Sequence, residues 1–502
     1  MGNILRHKEK AIFIAAVIIL AIITIIFGYT GYSLNGYLDS IFFIPPAVSF
    51  AIGQGFVNPV TDLRSAWGDP IGHERYLYFP PLFPLLISAF ILESISLPPS
   101  QQALLGAGIL SALAVILASL VFYKIATLRG KKFDFLSAML ICAALLIILR
   151  ASWGFIARPE TLEGLLVAVG FLIAFYVRRP WQVVAGFAVL LGLMAATHPF
   201  GAVFFALLAG LFFSFFHEWR RSIIYIVATY LLAFVAFLLV MQISPYSISD
   251  TFVGVFRHGS LVLQRLDISN AVVFLGSPYT ILYGIIMAFL AAFCAHFCFR
   301  HRKEIKTFFL FALFAACIAG LMVYFVLISI KTYYAALFSI FVFSALVYYL
   351  IHSVNVRLIK YATLLFLVFL AMLSLRPVLA FPSFVKHGVT IAAAREKFKA
   401  VAARHPDADI FIAASLWVLS EDYERMHYIG DITPGQKARR PLVVLLDQNH
   451  SYGNWSPAAD PPAEAEGCPL KENYFVDKVP RFLGVKLSNA MPGYGFAVYE
   501  CE

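Results

Sequence analysis

Between residues 11 and 29 the chain carries no charged side chain, and apolar runs of similar length recur along most of it. Nothing else in the sequence constrains the fold as strongly. About 20 apolar residues at ~1.5 Å each cross the roughly 30 Å hydrocarbon core of a bilayer. Lipid offers no partner for a backbone N–H or C=O, so such runs fold as helices that bond within themselves. The composition agrees: 61% of the 502 residues are hydrophobic and 13% charged, against about 45–50% and 25% in soluble domains. The fold class expected is a polytopic α-helical membrane protein.

Charge placement gives the orientation. Arg6, His7, Lys8 and Lys10 precede the first run and no Ala-x-Ala cleavage site follows it, which makes it a retained anchor with the N-terminus cytoplasmic. The apolar piece at 80–97 opens with prolines and contains Glu93, leaving about eleven clean residues, too few to cross; it is expected to be interfacial or re-entrant. The run 102–128 then goes inward and places Arg129, Lys131 and Lys132 in the cytoplasm. Further spans near 133–151, 161–177, 181–197, 200–216, 222–243, 277–299, 307–329, 333–351 and 361–377 alternate so that every basic cluster between them lies inside. The total is about eleven spans, with interfacial helices on the outer face.

The formal net charge is +10, with 25 Lys/Arg against 13 Asp/Glu in residues 1–376 and 13 against 15 in 377–502. The basic excess thus belongs to the membrane part, and no nucleic-acid partner is expected. Residues 1–377 read as the membrane domain and 378–502 as a small soluble α/β domain outside the membrane. In the latter, 389–404 reads as a helix, while 409–413 and 441–446 are short apolar runs bounded by Pro, Asp and Gly, as buried strands are. Cys142, Cys294, Cys298 and Cys317 lie in apolar runs. Cys468 and Cys501 lie in the tail, where a disulfide between them contributes on the order of 3–4 kcal/mol; two free thiols are the alternative.

Ionisable residues close to a membrane are costly and tend to serve function. Asp39, in the first outer loop (30–81), suits a general base or a metal ligand, and equally an N-cap for a helix starting near residue 40. Arg158-Pro159-Glu160 stands at the start of a span with Glu163 one turn further on the same face; Pro and Glu there also suit a plain helix start. His198, in Thr197-His198-Pro199, could donate to a phosphate, or serve the turn alone. Lys331, before Thr332-Tyr333-Tyr334, could hold a phosphate as a point charge or snorkel to the interface. No phosphate loop, dinucleotide fingerprint, His-Glu-x-x-His or paired Cys-x-x-Cys is present.

Taken in order, these motifs resemble the GT-C superfamily of integral-membrane glycosyltransferases, which includes bacterial aminoarabinose transferases and relatives of the protein O-mannosyltransferases. Asp39 matches that family's acid in the first outer loop, and Tyr78-Phe79-Pro80-Pro81-Leu82-Phe83-Pro84 its aromatic-proline element. Ala157-Arg158-Pro159-Glu160 is similar to its second acidic loop, Thr197-His198-Pro199 to a turn holding Lys or His, and Lys331-Thr332-Tyr333-Tyr334 to a late basic element. The resemblance implies a polyprenyl-phosphate-linked sugar donor, a glycan, lipid or protein acceptor, and contact with membrane lipid, in the bacterial inner membrane with a periplasmic C-terminal domain. It implies Asp39 and Glu160 as catalytic acids, Lys331, His198 and Arg158 at the lipid phosphate, and Tyr78, Tyr333 and Tyr334 along the groove. Asp39-Ser40 departs from the family's paired acids, and a divalent metal is left open. The competing reading is a lipid or solute transporter or flippase, which predicts charges at mid-bilayer.

Overall fold

The computed structural model describes residues 2–32, 43–56, 80–154, 158–243, 344, 347, 348, 350–352, 357–413, 416–419, 426–428, 442–447, 468–476, 478–487 and 493–501. Its helices are α1 (Gly2–Thr30), α2 (Ile44–Ala51), α3 (Leu82–Ser88), α4 (Pro99–Ala126), α5 (Phe135–Gly154), α6 (Glu160–Tyr176), α7 (Pro180–Ala195), α8 (Pro199–Phe216), α9 (Trp219–Ile243), α10 (Arg357–Ser374), α11 (Arg376–His387) and α12 (Ile391–Arg404). Proline occupies the first turn of α2, α4, α7 and α11, where its missing N–H would have had no helical partner anyway. Each start is thus written locally, and the apolar run behind it sets the length.

Lys8–Thr30, Pro99–Ala126 and Trp219–Gln242 are long and apolar enough to cross a membrane, so the chain is a multi-pass membrane protein. Shorter apolar helices cover Phe135–Leu149, Pro180–Ala195 and Gly201–Ser214. The segment 80–97 forms only the seven-residue α3, about 10 Å long, before the chain turns into α4. The spans expected at 277–299 and 307–329, and most of that at 333–351, lie outside the described residues.

The bundle is organised on α1 and α4, which lie side by side, with α6 on α4, α5 beside α1, and α9 along α7. At the α1–α4 crossing Gly28 faces Gly108; a methyl group on Gly28 would sit 2.7 Å from the Leu104 carbonyl oxygen. Small residues let two backbones approach in lipid, where packing replaces the hydrophobic drive.

The tail folds as the apolar runs predict. Strands β1 (Asp409–Ile412), β2 (Met426–Tyr428), β3 (Leu442–Asp447), β4 (Leu470–Asn473) and β7 (Phe496–Cys501) form one sheet in the order β2-β1-β3-β7-β4, while β5 (Arg481–Phe482) and β6 (Val485–Lys486) form a separate hairpin. β1 runs parallel to β2 and β3; β7 runs antiparallel to β3 and β4. Ile410, Ile412, Val443, Leu445, Phe496 and Val498 are fully buried, as are Ala394, Phe398 and Val401 of α12. The Thr390 hydroxyl caps α12 by accepting from the Ala393 amide. Cys468 is disulfide-bonded; Leu470 pairs with Tyr499, and continuing that register brings position 468 opposite position 501.

Candidate active site

Four motifs far apart in sequence meet at one end of the bundle. Arg158 and Glu160 open α6, and they are paired in a planar fork: Nε donates to Oε2 at 3.0 Å and an Nη to Oε1 at 2.7 Å. Arg158 is 5% exposed and Glu160 2%. Taking two ions out of water is tolerated only when geometry this good restores their interactions. The Arg158 guanidinium lies 6.0 Å from the ring centre of Phe43, the residue that leads into α2, and Phe43 in turn meets Phe83 edge-on at 5.7 Å. The Leu82 amide donates to the Ala196 carbonyl at 3.0 Å, which fastens α3 to the turn carrying Thr197 and His198. His198 is itself buried and acts electrostatically on Glu160.

The sequence reading noted Glu163 only as a neighbour of Glu160 on the same face. The structure makes it a central group: it is 0% exposed, and neither oxygen has a hydrogen-bond partner among the described residues. Its carboxyl is pressed on Gly201 in the first turn of α8, so closely that a methyl group there would come to 1.9 Å from Oε1. The Gly201 amide faces the carboxyl without completing a hydrogen bond. The carboxyl thus sits at the amino end of α8. The signal was legible in part, since a second glutamate one turn along an otherwise apolar helix is unusual; the fit to Gly201 was not.

Arg158 is paired with Glu160, and the Glu163 carboxyl lies buried one turn further on without a hydrogen-bond partner among the described residues. Glu160 gives both oxygens to Arg158, and no three His, Cys, Asp or Glu side chains converge among the described residues. Among the described residues, then, no divalent-metal site is formed. Behind Glu160 a cavity of about 20 Å³ is bordered by Ser111, Leu145, Thr161 and Gly164. It holds one water at most.

The structure therefore brings together Arg158, Glu160 and His198. Asp39, Tyr78, Lys331, Tyr333 and Tyr334 lie outside the described residues.

No family model matches the chain, and no curated protein matches it. Among solved structures it is similar to an oligosaccharyltransferase of Archaeoglobus fulgidus in complex with Zn and sulfate, at 12% identity over 86% of this chain and 68% of that one, with a TM-score of 0.48. It is also similar to ArnT from Cupriavidus metallidurans in the apo state, at 10% identity over 99% of this chain and 98% of that one, with a TM-score of 0.37.

Proposed function

We propose that the chain is a glycosyltransferase that moves a sugar from a polyprenyl-phosphate carrier to a lipid, glycan or protein acceptor at the outer face of the membrane. The observation that carries this reading is the convergence of Phe43, Leu82, Arg158, Glu160 and His198 at one bundle end around a buried ion pair. Charged residues, moreover, are absent from the middle third of every described apolar helix, where a transporter would need them.

In the reaction, Asp39 takes the proton of the acceptor hydroxyl or amine as that atom bonds to the anomeric carbon. The bond from that carbon to the phosphate oxygen breaks, its electron pair leaves on the polyprenyl phosphate, and in-line attack inverts the centre. Lys331 and His198 meet the charge developing on the phosphate. Arg158 contributes its remaining field, with Glu160 holding the guanidinium in place, and Tyr78, Tyr333 and Tyr334 border the groove.

The test is a transfer assay on the purified protein with a panel of polyprenyl-phosphate sugars, scoring release of polyprenyl phosphate, with Asp39→Asn alongside. Release by the wild type alone is expected. Equal release by both proteins removes Asp39 from the mechanism, and no release with any donor and acceptor removes the transferase reading.

A further inference from the structure

Helix α1 ends in a compact device written into its sequence. Gly31 stands at φ +64°, its amide donates to the Gly28 carbonyl at 3.1 Å, and the Tyr32 amide reaches back to the Phe27 carbonyl at 3.0 Å. This is a Schellman stop, with glycine in the left-handed position and an apolar contact closing it; the Phe27 and Tyr32 rings are 4.8 Å apart. The first loop leaves the helix from this point.

The stop is enclosed by the C-terminal part of the chain. The Tyr494 hydroxyl donates to the Gly31 carbonyl at 3.3 Å, and the Tyr32 hydroxyl to the Pro377 carbonyl at 2.8 Å. Phe381 and Phe384 of α11 lie 5.1 and 5.0 Å from the Tyr32 ring. Ile391, the first residue of α12, is so close to Gly31 that a methyl group on the glycine would be 2.6 Å from its Cδ1. Tyr494 is itself held, since its amide donates to the Val389 carbonyl at 2.9 Å. Arg376 donates to the Leu487 carbonyl and adds a further tie between α11 and the hairpin region. Tyr32 is fully buried, and burial pushes its hydroxyl well above the ordinary range, with Arg376 acting the other way; it stays a donor at every physiological pH.

A soluble domain that only capped the membrane part would not need buried tyrosine hydroxyls bonding in both directions, Tyr494 to the Gly31 carbonyl at the first loop's origin and Tyr32 of that origin to the Pro377 carbonyl of α11. We propose that the C-terminal α/β unit anchors the root of the first loop, with Tyr494 and Tyr32 as positioning residues for transfer. The kinetic half of this proposal rests on the transferase reading; the structural half does not.

Tyr494→Phe and Tyr32→Phe in the full-length protein each delete one hydroxyl and keep the ring. Hydrogen exchange at the Gly31 and Tyr32 amides should speed up roughly fivefold, the equivalent of one hydrogen bond. In the transfer assay kcat should fall about ten- to a hundredfold, with KM for the carrier and the melting temperature unchanged. Unchanged exchange overturns the anchor, and faster exchange with unchanged kcat overturns the positioning role. If the wild type transfers no sugar while exchange still responds, the anchor stands and the transferase reading falls.

Discussion

Replacing Gly201 with alanine places a methyl group 1.9 Å from the Glu163 carboxyl oxygen, where ordinary contact begins near 3.4 Å. Something must therefore move by about 1.5 Å, and Glu163 is 0% exposed, so its carboxyl cannot swing into water. Overpacking of a buried site costs about 1–3 kcal/mol. Glu163→Ala alone behaves differently: it removes two buried oxygens without hydrogen bonds, a relief of about 1–3 kcal/mol, offset by a cavity of similar cost. Its net effect should be near zero. In Gly201→Ala/Glu163→Ala the new methyl group meets no carboxyl, so the double variant should match Glu163→Ala. The coupling energy is then about 1–3 kcal/mol, roughly thirtyfold in the unfolding constant at its centre. Unfolding by SDS titration in mixed micelles, run on all four proteins, measures it. Additive costs, with coupling under about 0.5 kcal/mol, would show that Glu163 does not face Gly201 and would refute the reasoning.

Three further outcomes are expected. Glu160→Ala and Arg158→Ala each leave one buried ion without its partner and should lower stability by about 3–5 kcal/mol, whereas Arg158→Met/Glu160→Leu should recover most of that loss in the same titration. Bonding to Arg404 holds the Glu472 carboxyl below its usual range, so the stability it contributes is present above the unfolded-state value near ~4.3 and lost as pH falls through the lower folded value. The pair is part-exposed and the effect small; melting of Glu472→Gln should approach that of the wild type below about pH 4 and trail it at pH 6–7. Cys468→Ser, which removes the disulfide, should destabilise the C-terminal unit by about 3–4 kcal/mol while leaving the helical part intact, as read by proteolysis of the tail.

Much of the architecture is one-dimensional information. Helices α1, α4 and α9 fall where apolar runs long enough to cross a bilayer stand, because burial in lipid depends on how many consecutive residues lack charge and not on what they later touch. Starts at Pro99 and Pro180 and the stop at Gly31 are equally local, being set by backbone geometry at single residues. The strands at β1 and β3 announce themselves as short apolar runs between breakers. Arg158, Glu160 and His198 could each be named as candidates from charge beside a membrane span. Their relation could not. That Glu160 gives both oxygens to Arg158, that Glu163 lodges against a glycine 38 positions later, and that β7 inserts between β3 and β4 depend on which surfaces meet when the helices and strands pack. The contact of Tyr494 with Gly31, 463 residues apart, is of the same kind: no local pattern encodes it, because its energy exists only once both ends of the chain have been brought to the same end of the bundle.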